Sequence, residues 1–100
     1  MVQMIENWSD VHGEIKSLSP SPSDPASCIA TVKVNGSDRV ASFPNLLEKK
    51  VGDEITVQVP HAAVERAALA AGSRVRLRVR QGGLDRFFAH PDQVQKLGSE

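Results

Sequence analysis

Residues 60–89, PHAAVERAALAAGSRVRLRVRQGGLDRFFA, decide the fold. Pro60 predicts a helix start, since its missing N–H and fixed φ cost nothing at a first turn. Gly72 offers the left-handed residue that ends a helix, so the helix is predicted over 61–71. Val64, Ala68 and Ala71 share one helical face, and the six alanines in this run would let it lie close against a sheet. Residues 73–80 then alternate without a break. Val75, Leu77 and Val79 leave one side of a strand and Arg74, Arg76, Arg78 and Arg80 leave the other. Gly82-Gly83 turns the chain, 84–89 return, and Pro91 is expected to end the pairing. A helix feeding a final β-hairpin is therefore the punctuation to be explained.

Working outward, residues 54–59 form a strand that buries Ile55, Val57 and Val59. Residues 28–34 also alternate, with Cys28, Ala30, Val32 and Val34 on one side. Asn35-Gly36 behind them predicts a tight hairpin, because both residues tolerate positive φ. Its return strand, 39–43, would stop at Pro44, and 45–50 read as a turn or a short helical piece. Upstream, 11–18 form a strand with Val11, Gly13 and Ile15 on one side. Three prolines between 19 and 25 make a loop. Residues 1–8 fit a strand or a helical stripe equally, and 92–100 read as a short helical turn and tail. The expected organisation is an N-terminal extension (1–10), one domain (11–91) and a C-terminal tail (92–100).

Short strands at near-regular spacing imply a closed or nearly closed sheet. The expected fold is all-β with one short helix: a small barrel of five to six strands, the helix inserted before the last β-hairpin. That is the arrangement of the OB fold; an SH3-like barrel is the rival, normally carrying a 3₁₀ turn where this chain has a helical run. Gly13-Glu14-Ile15, Ile55-Thr56-Val57 and Leu69-Ala70-Ala71-Gly72-Ser73-Arg74-Val75 resemble the strand punctuation of TOBE/Mop-type domains. The resemblance implies an OB-like barrel and a molybdate-like oxyanion as ligand. The chain departs from that family at its Ser-Ala-Arg-Asn entry motif, where Glu6-Asn7-Trp8-Ser9 stands, and in longer segments at 19–27 and 44–53.

Composition narrows the function. Twelve basic and twelve acidic side chains in 100 residues give a formal net charge of zero, which excludes a generic polyanion coat. The zero is uneven: residues 1–60 carry five basic and eight acidic groups, while 61–90 carry six and two. One cysteine, Cys28, cannot form an internal disulfide, and its alternation with Ala30 and Val32 suggests a small buried residue. The N-terminus lacks the basic start and apolar run of a secretory signal, so a cytoplasmic protein is expected. No apolar run reaches the ~18 residues of a membrane span. His12, His61 and His90 match no zinc spacing, and no phosphate loop or nucleophile elbow is present. A non-enzymatic module without cofactor or metal is expected.

The candidate site is the arginine face. Four guanidinium groups at ~6–7 Å intervals make a positive stripe, which Arg66 on the helix could extend. With a two-residue Gly82-Gly83 loop, Arg78 faces Phe87 and Phe88 turns inward. A three-residue loop exchanges the two rings and sets Arg86 beside Arg80. The first register avoids that like-charge pair and puts Phe87 among the arginines. Cations tracking phosphates beside an aromatic suit single-stranded or irregular DNA or RNA. The plainer alternative is a solvated strand face whose long stems protect an edge. Glu14 or Glu54 could neutralise part of the stripe. A protein partner, or self-association into a homo-oligomer, is the competing role.

Overall fold

The computed structural model describes residues 7–22, 24–40, 43, 45, 47–83 and 86–97. Five strands, β1 (Ser9–Pro20), β2 (Ser27–Arg39), β3 (Glu54–Pro60), β4 (Arg74–Gly83) and β5 (Arg86–Leu97), close into one ring in the order β1-β2-β3-β5-β4. A 3₁₀ turn at Glu48–Lys50 precedes β3, and α1 (His61–Ala67) joins β3 to β4. All pairings are antiparallel except β3 with β5, which run parallel through Val57↔Phe87 and Gln58↔Phe88. The expected all-β barrel with a helix before its last hairpin is what the chain forms.

Alternation fills the ring. Val11 and Ile15, Val32 and Val34, Val57 and Val59, and Val75, Leu77 and Val79 are buried at its centre. α1 adds Ala63 and Val64, and Leu47 enters from the segment before the 3₁₀ turn. No described helix is long and apolar enough to cross a membrane.

Several local expectations are corrected. Asn35-Gly36 is not a hairpin turn: β2 runs on to Arg39, paired with β1 throughout, and Asn35 is the extra residue of a bulge between His12↔Gly36 and Gly13↔Val34. The glycine serves close approach instead, since a Cβ at Gly36 would lie 2.1 Å from His12 Nε2. Of the return strand expected over 39–43, Arg39 is the last residue of β2 and Val40 and Phe43 are not strand; residues 41, 42 and 44 lie outside the described residues.

The helix is shorter than predicted. Ala68 takes the left-handed conformation (φ 55°, ψ 47°) and its N–H bonds to Glu65 O. Leu69 N–H then reaches back to Val64 O. This reversal turns Leu69 into the core, while Ala68 and Ala71, expected on the buried face, stay exposed. Gly72 (φ 93°) shapes the entry to β4 rather than the helix end, its N–H donating to Ile15 O at 2.7 Å.

At the chain's end, residues 92–97 are strand, not a helical turn, and Pro91 does not end pairing. β5 pairs with β4 twice, through Ala89↔Val79 and again through Val94↔Leu77, so residues 90–93 bulge opposite Arg78. A bulge accommodates the proline, which has no N–H to give a ladder.

The hairpin register differs too. Arg80 stands opposite Phe88, Gln81 opposite Phe87, and Gly83 opposite Arg86. Phe87, expected on the arginine face, is in the core at 5% exposure, and Phe88 takes its place outside. Because Arg86 faces Gly83, the like-charge argument that favoured the other register does not apply. Leu84 and Asp85 lie outside the described residues.

Candidate nucleic-acid interface

β4 places Arg74, Arg76, Arg78 and Arg80 on its outer face, as alternation requires, but they are not equivalent. Pairing begins at Ser9, inside the expected N-terminal extension, and sets Asp10 opposite Arg78. Arg78 Nε donates to Asp10 Oδ1 at 2.9 Å and its Nη2 to Oδ2 at 3.3 Å; Arg76 Nη2 donates to the same Oδ2 at 3.2 Å. The Asp10 side chain retains 12% exposure, against 51% for Arg76 and 32% for Arg78. Burial alone would raise the Asp10 pKa. The hydrogen bonds and charges of Arg78, then Arg76, outweigh it and hold the carboxyl below its ordinary range. Reciprocally, the hydrogen bond to Asp10 raises the Arg78 pKa.

Glu14 and Glu54, the acidic residues that could have neutralised part of the stripe, form no ion pair with it among the described residues. Glu14 stands opposite Arg74 in the ladder, yet its carboxylate pairs with Lys16 at 3.4 Å. Glu54 is opposite Lys33, across β2. Among the described residues, Arg74 and Arg80 have no ion pair. Arg66 does not extend the stripe: its Nη2 donates to Pro91 O at 2.5 Å, tying α1 to the β5 bulge.

Aromatic groups gather at the far end of β4. The Arg80 guanidinium lies 5.3 Å from the Phe88 ring centroid. That ring also covers Gly82, where a Cβ would come within 2.8 Å of it. Trp8 meets His90 with ring centroids 5.3 Å apart and planes inclined at 57°. The chain is held there by Asn7, whose side chain donates to Gln81 O (3.0 Å) and accepts from Gln81 N–H (2.8 Å). Between this end and Arg74, Asp10, Arg76, Arg78, Gln93 and Gln95 line a cavity of about 150 Å³.

Asp10, Gln93 and Gln95 escaped the sequence reading because they flank the expected domain on both sides. The alternation at 9–11 could have carried the first strand back to Ser9; nothing local announces that a strand resumes after Pro91.

The other histidine of interest is at the opposite end. Cys28 Sγ lies 3.5 Å from His61 Nδ1, and His61 Nε2 is 3.1 Å from Glu65 Oε2. The three are strung in a line rather than converging, and no described group of His, Cys, Asp and Glu could hold a metal ion. The chain matches no family model, no curated protein and no solved structure.

Proposed function

We propose that this domain is a non-enzymatic binding module of the OB type that holds single-stranded nucleic acid on its outer β1–β4–β5 face. The ring order β1-β2-β3-β5-β4, with α1 between β3 and β4, supports the OB reading over the SH3-like one. It is also compatible with the TOBE/Mop resemblance. The observation that carries the function is the combination of arginines without an ion pair among the described residues and half-buried rings on the same face: Arg74 at one end, Arg80 with Phe88, Trp8 and His90 at the other. Guanidinium groups there can meet phosphates while bases stack on the rings. A small oxyanion is the weaker ligand, because the Asp10 carboxylate already occupies the anion position between Arg76 and Arg78.

Fluorescence anisotropy with labelled single-stranded oligonucleotides tests the proposal. Binding should weaken steeply with salt, and Arg74→Glu/Arg80→Glu should remove it. Salt-independent binding, equal binding by that variant, or none at low salt would refute the proposal. Charge segregation favours a second reading, self-association between unlike faces, since residues 1–60 are net acidic and 61–90 net basic. Light scattering at low salt decides it: a strict monomer excludes a homo-oligomer.

A further inference from the structure

A seat for phosphate does not need an ionised carboxylate in its wall. The cavity on the β1–β4–β5 face has one: Asp10, between Arg76 and Arg78, with Gln93 and Gln95 completing the lining. A carboxylate repels a phosphate at that range, so this middle section is unlike the stripe on either side. It offers donors and an acceptor together, and therefore suits a polar group carrying both but no charge. From this we infer that the cavity reads the edge of one nucleobase, an edge with two adjacent acceptors and a donor such as guanine and cytosine present, while Arg74 and Arg80 take the flanking phosphates. The inference rests on the nucleic-acid reading above and assigns the base edge that the same face selects.

The donor and acceptor count leads to that edge. Oδ1 of Asp10 accepts one hydrogen bond and Oδ2 accepts two. A carboxylate has about four lone-pair sites, so one stays available for a ligand N–H. Arg76 uses a single N–H on Asp10 and is half exposed, which leaves most of its fork for a ligand. The matching edge has two adjacent acceptors for a guanidinium and one donor beside them. Guanine presents N7, O6 and N1–H in that order, and cytosine presents O2, N3 and N4–H. On guanine the fork takes N7 and O6, a pairing for which arginine is well suited, and Asp10 takes N1–H; on cytosine the fork takes O2 and N3, and Asp10 takes N4–H. Adenine places an amino group where O6 would be, and that group faces the guanidinium donor to donor.

Asp10 also sets the geometry of both arginines. Its bidentate contact fixes the plane of Arg78, and the shared Oδ2 draws Arg76 alongside. The site is thereby organised before a base arrives, which reduces the ordering cost of binding. Trp8 is two residues before Asp10, and its contact with His90 keeps an aromatic surface next to the cavity.

The test uses the full chain and a set of short labelled oligonucleotides, identical except for one central base. Guanine and cytosine should bind about tenfold more tightly than adenine or thymine, the discrimination expected of a good bidentate base contact. Hypoxanthine, which keeps N7, O6 and N1–H, should match guanine; 7-deazaguanine, which lacks N7, should not. Asp10→Asn should erase the preference while salt-sensitive binding to every oligonucleotide persists, its fold checked by circular dichroism. Should that variant not fold, Gln95→Ala at the exposed rim should reduce the preference instead. Equal affinity for all bases, or a preference unaltered in the folded variants, overturns the inference and leaves the nucleic-acid reading standing. Absence of binding to any of them overturns both.

Discussion

Asp10 carries more of this molecule than its side-chain size suggests. A carboxylate with a depressed pKa contributes stability that is complete above its unfolded value and is lost as pH falls through the folded one. For Asp10 the ordinary value is 3.8 and the shift is downward, so its contribution fades from just above that value into more acid solution. Asp10→Asn should therefore cost about 1.5–3 kcal/mol at neutral pH, the range for hydrogen bonds to charged groups. The difference from wild type should shrink on acidification, as read by urea unfolding at several pH values. A constant difference down to strong acid would show that the carboxylate's charge is not what stabilises the fold. The paired phenylalanines show how narrow a residue-scale decision can be. Phe87 and Phe88 have the same side chain, and one step of register decides which is core and which meets Arg80.

At the scale of elements, the fold was legible wherever a period ran uninterrupted. The Val–Leu–Val and Arg faces of β4, the buried Ile55-Val57-Val59 set of β3 and the placement of a helix after Pro60 all follow from alternation and proline chemistry. What escaped were the places where tertiary contact overrides a local signal. Asn35-Gly36 is a strong turn signal, yet β1 continues alongside and the glycine is spent on clearance for the His12 ring. Pro91 is a strong stop, yet a bulge lets β5 resume its pairing with β4. Of the site, the arginines could be read and their counter-ion could not, because a long-range pairing between residues 10 and 78 leaves no local trace. Ala68 supplies a test at this scale. A left-handed non-glycine residue is strained by about 1 kcal/mol, and glycine adopts that conformation freely. Ala68→Gly, at a helix end already outside the regular turns, should raise stability by about 0.5–1 kcal/mol. Thermal unfolding measures it; a lowered melting temperature would mean that the unfolded chain's added freedom outweighs the relieved strain.

For the molecule as a whole, closure of the ring is unequal around its circumference. The β1–β4 junction joins six residue pairs, from Ser9↔Val79 to Glu14↔Arg74. Among the described residues, the β3–β5 junction by contrast joins two. Regions with few hydrogen bonds open at lower free energy than the whole. Amides along the β3–β5 junction should then exchange with deuterium ahead of those in β1 and β4, and through a route that does not need global unfolding. Uniform exchange across all five strands would refute this. The two described pairs at that junction involve Phe87, which faces the core, and Phe88, whose ring lies on the outer surface with Arg80. A base stacked on Phe88 would hold its strand in place and so keep the ring shut. Occupancy of the outer surface should thus be audible inside the barrel, as slower exchange at a slit the ligand never enters.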